Sequence, residues 1–148
     1  MFIQGGSVAN KNGSNLEGHV ENMLIALDIK YKKQVKYAGI YNKVSKMDFL
    51  LTEHNIAIEV KNQSGGGSVI EKIPYAIESL QKFPAGGGIL VLGDIKAIQK
   101  SQVSFWDTKG AGCYDYAIQR SKATNGISIV KYPELYCKLQ SIIKEIEA

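Results

Sequence analysis

The 148-residue sequence predicts an α/β fold, a central mixed β-sheet flanked by helices on both faces, and three observations predict it. Leu16, Val20, Met23, Leu24 and Leu27 recur at the spacing of one helix face. Strand-like runs then follow in close succession up to Asn62, two of them separated only by the polar turn Thr52 to Asn55. Beyond that point, apolar runs alternate with helical stretches. Strands joined by tight turns pair antiparallel and strands joined through helices pair parallel, so a single sheet of both kinds is expected.

In chain order, residues 1–12 lack periodicity and read as a flexible N-terminal arm ahead of one domain over 13–148. A helix is expected from Asn15 to Ile29, with Ser14 or Asn15 accepting from the unpaired amides of its first turn. A strand follows over Tyr31 to Ala38, and a hairpin over Lys46 to Asn62. The next helix, Val69 to Lys82, turns Ile70, Ile73, Ile77 and Leu80 inward, and Pro74 falls early enough to be tolerated. Gly88 to Leu92 is a short apolar run of the buried-strand kind. A helix over Asp115 to Lys122, a strand over Gly126 to Lys131 and a helix from Pro133 through Ile146 complete the order. Residues 93–114 are poorly patterned: either Trp106 sits on an exposed loop that meets a nucleic-acid groove or a partner, or it plugs the core.

The chemistry concentrates in Ile56-Ala57-Ile58-Glu59-Val60-Lys61-Asn62-Gln63. A buried strand does not carry charge without compensation, because desolvating an ion is costly. Alternate side chains share a face, so Glu59, Lys61 and Gln63 should line one side of it. Pairing the hairpin would bring Asp48 beside Glu59. Two carboxylates and a strand carbonyl, that of Val60, make a hard-oxygen set suited to Mg2+ or Mn2+. Lys61 beside them can orient a water or offset charge on a phosphate. A Glu-x-Lys pair on a strand is more commonly a solvated ion pair. The apolar run around it, an Asp at hairpin distance and the acidic helix upstream favour the catalytic reading.

Asp48 with Glu59-Val60-Lys61 resembles the core of the PD-(D/E)xK nuclease superfamily, which includes restriction endonucleases, junction resolvases and repair nucleases. In that family a preceding helix often adds a glutamate to the metal site. Gly13-Ser14-Asn15-Leu16-Glu17-Gly18-His19-Val20-Glu21 is similar to that helix, with Glu17 in the expected slot and Glu21, one turn later, as the fallback. The family's proline is absent, Met47 preceding Asp48 instead. Past Lys61, Gln63-Ser64-Gly65-Gly66-Gly67-Ser68 and Glu71-Lys72-Ile73-Pro74-Tyr75 are similar to a restriction-like subgroup with Glu-Cys-Lys-x-Gln, a Ser/Gly-rich loop and a Glu-Lys-x-Pro-Tyr helix start. The resemblance implies a restriction-endonuclease-like fold and a Mg2+-dependent DNA endonuclease, with Mn2+ able to substitute. It implies Asp48, Glu59, Lys61 and Gln63 as catalytic residues, and Glu17, Asp48, Glu59 and the Val60 carbonyl as metal ligands. Products would carry 5′-phosphate and 3′-hydroxyl ends, and duplex cleavage by single-site chains implies a homodimer. Restriction-type cleavage is the expectation. The rival readings are a junction resolvase and a DNA-binding subunit without chemistry.

Lys30, Lys32, Lys33, Lys36, Lys43 and Lys46 crowd into 17 positions, interleaved with Tyr31, Tyr37 and Tyr41. This is the composition of a phosphate-contacting surface, or of an edge strand guarded against aggregation. Lys32, Lys33 and Lys36 are the DNA-contact candidates, with Lys72 and the stretch Ser64, Gly65, Gly66, Gly67 and Ser68, whose amides can approach a phosphate closely. A net charge of +4 is only mildly basic. With 45% hydrophobic and 22% charged residues the chain is globular rather than disordered. No apolar run approaches the roughly 20 residues that span a bilayer, and the start lacks a secretory pattern, so a cytoplasmic location is expected. Cys113 and Cys137 lack metal-ligand spacing and read as free thiols; His19 and His54 read as surface polar residues.

Overall fold

In the computed structural model, which describes residues 15–64, 69–123 and 126–147, five strands form one sheet. Tyr31–Ala38 (β1), Val44–Leu51 (β2), Ile56–Asn62 (β3), Gly87–Gly93 (β4) and Ile127–Lys131 (β5) lie side by side in chain order. β1 to β3 pair antiparallel, and β3 to β5 pair parallel, as tight turns and helical crossovers respectively require. Helices α1 (Leu16–Ala26) and α5 (Tyr132–Glu147) cover one face, where Leu16, Val20, Leu24, Leu135, Leu139 and Ile142 pack together. Helices α2 (Ile73–Lys82) and α4 (Ala111–Lys122) cover the other through Ile73, Ala76, Ile77, Leu80 and Ala117. β4 is therefore apolar on both sides: Ile89 and Val91 enter the first cluster, Leu90 and Leu92 the second. Among the described residues no helix is long and apolar enough to cross a membrane.

Most expected elements are present, with shifted ends. The Asn15 side chain caps α1, accepting from Gly18 N at 2.6 Å. The helix stops at Ala26, and Ile29 turns into the core instead of extending it. β2 begins at Val44, two residues before the expected start. Before α2 the chain makes a short 3-10 turn, Val69–Lys72, and Pro74 falls in the helix's first positions, where its missing N–H costs nothing. The poorly patterned stretch holds a further short helix, α3 (Ile95–Lys100), capped by Asp94, and a 3-10 turn at Phe105–Asp107. Trp106 is fully buried there and donates its indole N–H to Gly93 O at 2.9 Å, so it plugs the core. α4 begins at Ala111, four residues before the expected start. Residues 1–12 and Gly65 to Ser68 lie outside the described residues.

Two details position the site. Gly93 ends β4 with Leu16 so close that an added Cβ would lie 2.6 Å from Leu16 Cδ2. Any side chain there would push the Leu16 methyls away from the carboxyl end of the sheet, where the first turn of α1 settles. The β1–β2 register, continuous on either side, has no bonded pair at Gln34 opposite Asp48, and Gln34 adopts φ 50. Tyr31, Phe49 and Leu51 pack toward the α1 side, whereas Val35, Tyr37 and Met47 pack toward the α2 side. Both strands thus change face at Gln34 and Asp48.

Candidate active site

Asp48 stands where β2 and β3 part. Their pairing runs through Leu51↔Ile56, Leu50↔Ala57 and Phe49↔Ile58 and then stops, one step before Asp48 and Glu59 would oppose each other. There the Asp48 carboxylate replaces the strand backbone as acceptor: Oδ2 takes the Val60 N–H at 2.8 Å, and Oδ1 lies 3.4 Å from Gln34 Nε2. β3 meanwhile stays paired with β4 through Asn62↔Gly93, which keeps Glu59 and Lys61 on a regular strand. Lys61 Nζ lies 3.7 Å from Glu59 Oε2, with the side chains 26% and 12% exposed.

Glu17, in the first turn of α1, reaches the same place. Its hydrogen bond to Asp48, then burial and the Asp48 charge, push its pKa up to about 7, against the pull of Lys33 and Lys61. Burial is the main cause that lifts Asp48 to about 6; Glu59 adds to it, while the Glu17 hydrogen bond and the Val60 amide oppose it. A hydrogen bond between two carboxyl groups requires one proton between them. Among the described residues no group of three or more His, Cys, Asp or Glu side chains is placed to hold a metal ion. Glu17–Asp48 and Asp48–Glu59 are instead two contacts that share Asp48. Crowded carboxylates that hold a proton for want of countercharge are oxygen donors of the chemical kind a hard divalent cation takes.

Glu21 is engaged elsewhere. Tyr31 Oη donates to its Oε2 at 2.6 Å and Lys33 Nζ to its Oε1 at 3.0 Å, so both oxygens face β1. That contact also occupies Lys33, one of the expected DNA contacts, while Lys32, Lys36 and Lys72 are exposed. The change of face at Gln34 places Lys32 on the opposite side of the sheet from Lys33 and Lys36. Gln63 is buried, its N–H donating to Gly93 O at 2.9 Å. Ser64 Oγ donates to Asp94 Oδ1 at 2.7 Å, fastening the chain just past the end of β3 to the start of α3. Burial alone would raise Asp94. Hydrogen bonds from Ser64 and from the Phe105, Ala97 and Lys96 amides hold it below the usual carboxylate range. His19 and His54 are half-buried. The His19 ring lies tilted 6.1 Å from that of Tyr132, and burial lowers its pKa.

Three residues near the site escaped the sequence reading. Gln34 shapes the Asp48 pocket through a left-handed backbone that no local pattern announces. Tyr37, raised chiefly by burial, hydrogen-bonds to Ser79 and feels the charges of Glu59 and Asp48. Asp94 did carry a signal: an Asp ahead of Ile95-Lys96-Ala97-Ile98 is a helix start.

The sequence profile of a PD-(D/E)XK nuclease superfamily domain matches residues 8–105, more than half of the chain and every residue of the cluster above. No curated protein and no solved structure was found to match.

Proposed function

The chain belongs to the PD-(D/E)XK nuclease superfamily, and from that premise we propose that it is a Mg2+-dependent DNA endonuclease of restriction type, acting as a homodimer. The observation that carries this reading is the meeting of Glu17, Asp48 and Glu59 where β2 and β3 part, with Lys61 3.7 Å from Glu59. Glu17, Asp48, Glu59 and the Val60 carbonyl would hold the cation, and Mn2+, which shares the preference for oxygen donors, would substitute. When bound, the cation neutralises phosphate charge and acidifies water.

The side chains supply the rest. Glu17 and Asp48 share a proton in the metal-free chain, and carboxylates hold a cation in their deprotonated form, so Mg2+ affinity would rise with pH. The Val60 amide and Gln34 fix Asp48 from two directions. Lys61, restrained by Glu59, presents a positive charge to the oxygens of the scissile phosphate, where negative charge grows during attack. Gln63 anchors the strand end to Gly93 and keeps Lys61 in register. Water adds at phosphorus, the bond to the 3′-oxygen breaks, and that oxygen takes a proton, leaving 5′-phosphate and 3′-hydroxyl ends. A chain with one such site cuts one strand, so duplex cleavage calls for two copies.

The test uses plasmid, linear duplex and four-way junction, each with Mg2+ and with EDTA. Mg2+-dependent cutting of linear duplex at fixed sites supports the proposal. Junction cutting regardless of sequence replaces it with the resolvase reading, and tight DNA binding without cleavage leaves the binding-subunit reading.

A further inference from the structure

The distal half of the β1–β2 hairpin, beyond Gln34 and Asp48, has no part in that chemistry, yet its tip is held firmly. Gly39 N–H donates to Lys43 O at 2.8 Å and Asn42 N–H to Gly39 O at 3.0 Å. A Cβ on Gly39 would fall 2.4 Å from Ser45 Oγ, so the turn admits only glycine there. Ile40 faces Ile77, Glu78 and Lys82 of α2 across a shallow depression. The Tyr37 ring meets Phe83 edge-on at 5.0 Å.

From this braced turn Tyr41 and Val44 project 85% and 76% exposed, the most exposed large hydrophobic residues among those described. Tyr41 adopts φ 64 and ψ 20, followed by Asn42 at φ 57. A bulky aromatic in the left-handed region is strained, and here the strain turns its ring to solvent. Lys36 and Lys46 sit directly opposite on the two strands, a like-charge pairing that disfavours the hairpin on its own. Among the described residues neither they nor Lys43 have an ion-pair partner. A polyanion laid across the strands would relieve the repulsion.

Resting on the DNA-endonuclease reading, we propose that the hairpin tip is a base-contacting wedge: Tyr41, with Val44 beside it, stacks on an unstacked base of the substrate while Lys36, Lys43 and Lys46 hold the adjoining phosphates. Aromatic rings take any base this way, without sequence preference. Val44 precedes Asp48 by four strand residues and Tyr41 lies beyond it, so the wedge acts at least roughly 13 Å from the cut, about four base steps or more away. The chain then prefers DNA whose stacking is interrupted at that distance.

The experiment uses the full chain as its non-cleaving Asp48→Asn form with two duplexes, one uninterrupted and one with 2-aminopurine facing an abasic site. Binding should quench the 2-aminopurine emission. Tyr41→Ala should remove the quenching and weaken binding to the interrupted duplex about tenfold, leaving the intact duplex and the salt slope unchanged. Tyr41→Phe should restore both. Lys36→Ala with Lys46→Ala should weaken both duplexes and flatten the salt slope. If Tyr41→Ala affects the two duplexes equally, affects neither, or alters only self-association, the wedge is overturned. Wild-type cleavage with Mg2+ is scored in parallel: cleavage with unchanged Tyr41→Ala binding rejects the wedge alone, whereas absence of both cleavage and DNA binding rejects both.

Discussion

Asp48 and Glu17 are held in a state that opposes folding and favours loading. Their folded pKa values, about 6 and about 7, lie above the ordinary 3.8 and 4.5. Between those limits the folded chain binds more protons than the unfolded one, so metal-free stability falls as pH climbs from about 4 to about 7. In EDTA, denaturant midpoints should therefore drop from pH 5 to pH 8, and Glu17→Gln should flatten the decline; a slope equal to wild type would mean that the two carboxylates do not share a proton. Asp48→Asn and Glu59→Gln should each abolish cleavage while the chain stays folded by circular dichroism. Lys61→Ala should lose about 10²-fold in turnover and keep its Mg2+ midpoint, which separates charge stabilisation from metal binding. Asp48, Glu59 and Lys61 were legible in the sequence because period-two alternation and hairpin spacing place them with little dependence on the rest of the chain. Gln34 was not, since a positive φ at a polar strand residue leaves no trace in polarity.

At the level of elements, α1 carries two glutamates one turn apart with different partners. Glu17→Gln should shift the Mg2+ requirement upward. Glu21→Gln should leave it in place but lower stability, because Tyr31 and Lys33 lose one of the two oxygens they bond and Lys33 loses its countercharge. Burial and the Glu21 contact push Tyr31 up to about 12 from an ordinary 10.0. The folded state thus keeps that proton longer, and stability declines as pH rises from about 10 to about 12. Tyr31→Phe should blunt the decline in an alkaline denaturation series. Sequence spacing alone left Glu17 and Glu21 open, since a helix of this length can turn either toward a neighbour. Gly93, by admitting Leu16, fixes which one meets Asp48, and that is a contact between distant segments. The same limit hid α3, whose six residues give too short a period to recognise, although Asp94 marks its start. Asp94→Ala should cost about 2 kcal/mol or more, since it strips acceptors from the Ala97 and Phe105 amides and from Ser64 together.

Over the whole molecule, the mixed character of the sheet and the two covering layers were readable because turn-linked and helix-linked strands obey different pairing rules. The basic surface was read only in outline: the lysines were visible as a cluster, but the change of face at Gln34 divides them. DNA affinity should fall as salt rises, and neutralising Lys36 should flatten that slope more than neutralising Lys33, whose charge is already met by Glu21. An equal effect from both would show that the ion pair opens on binding.

Trp106 is the only tryptophan in the sequence, so tryptophan emission, excited at wavelengths the tyrosines do not absorb, reports a single place. The Gly93 carbonyl that accepts its indole N–H also accepts the Gln63 N–H, each at 2.9 Å. One oxygen therefore joins the fluorophore to the end of β3, the strand that carries Glu59 and Lys61. The emission colour of the native chain becomes an unlabelled optical readout of that strand, available in a cuvette before any cleavage assay has been set up.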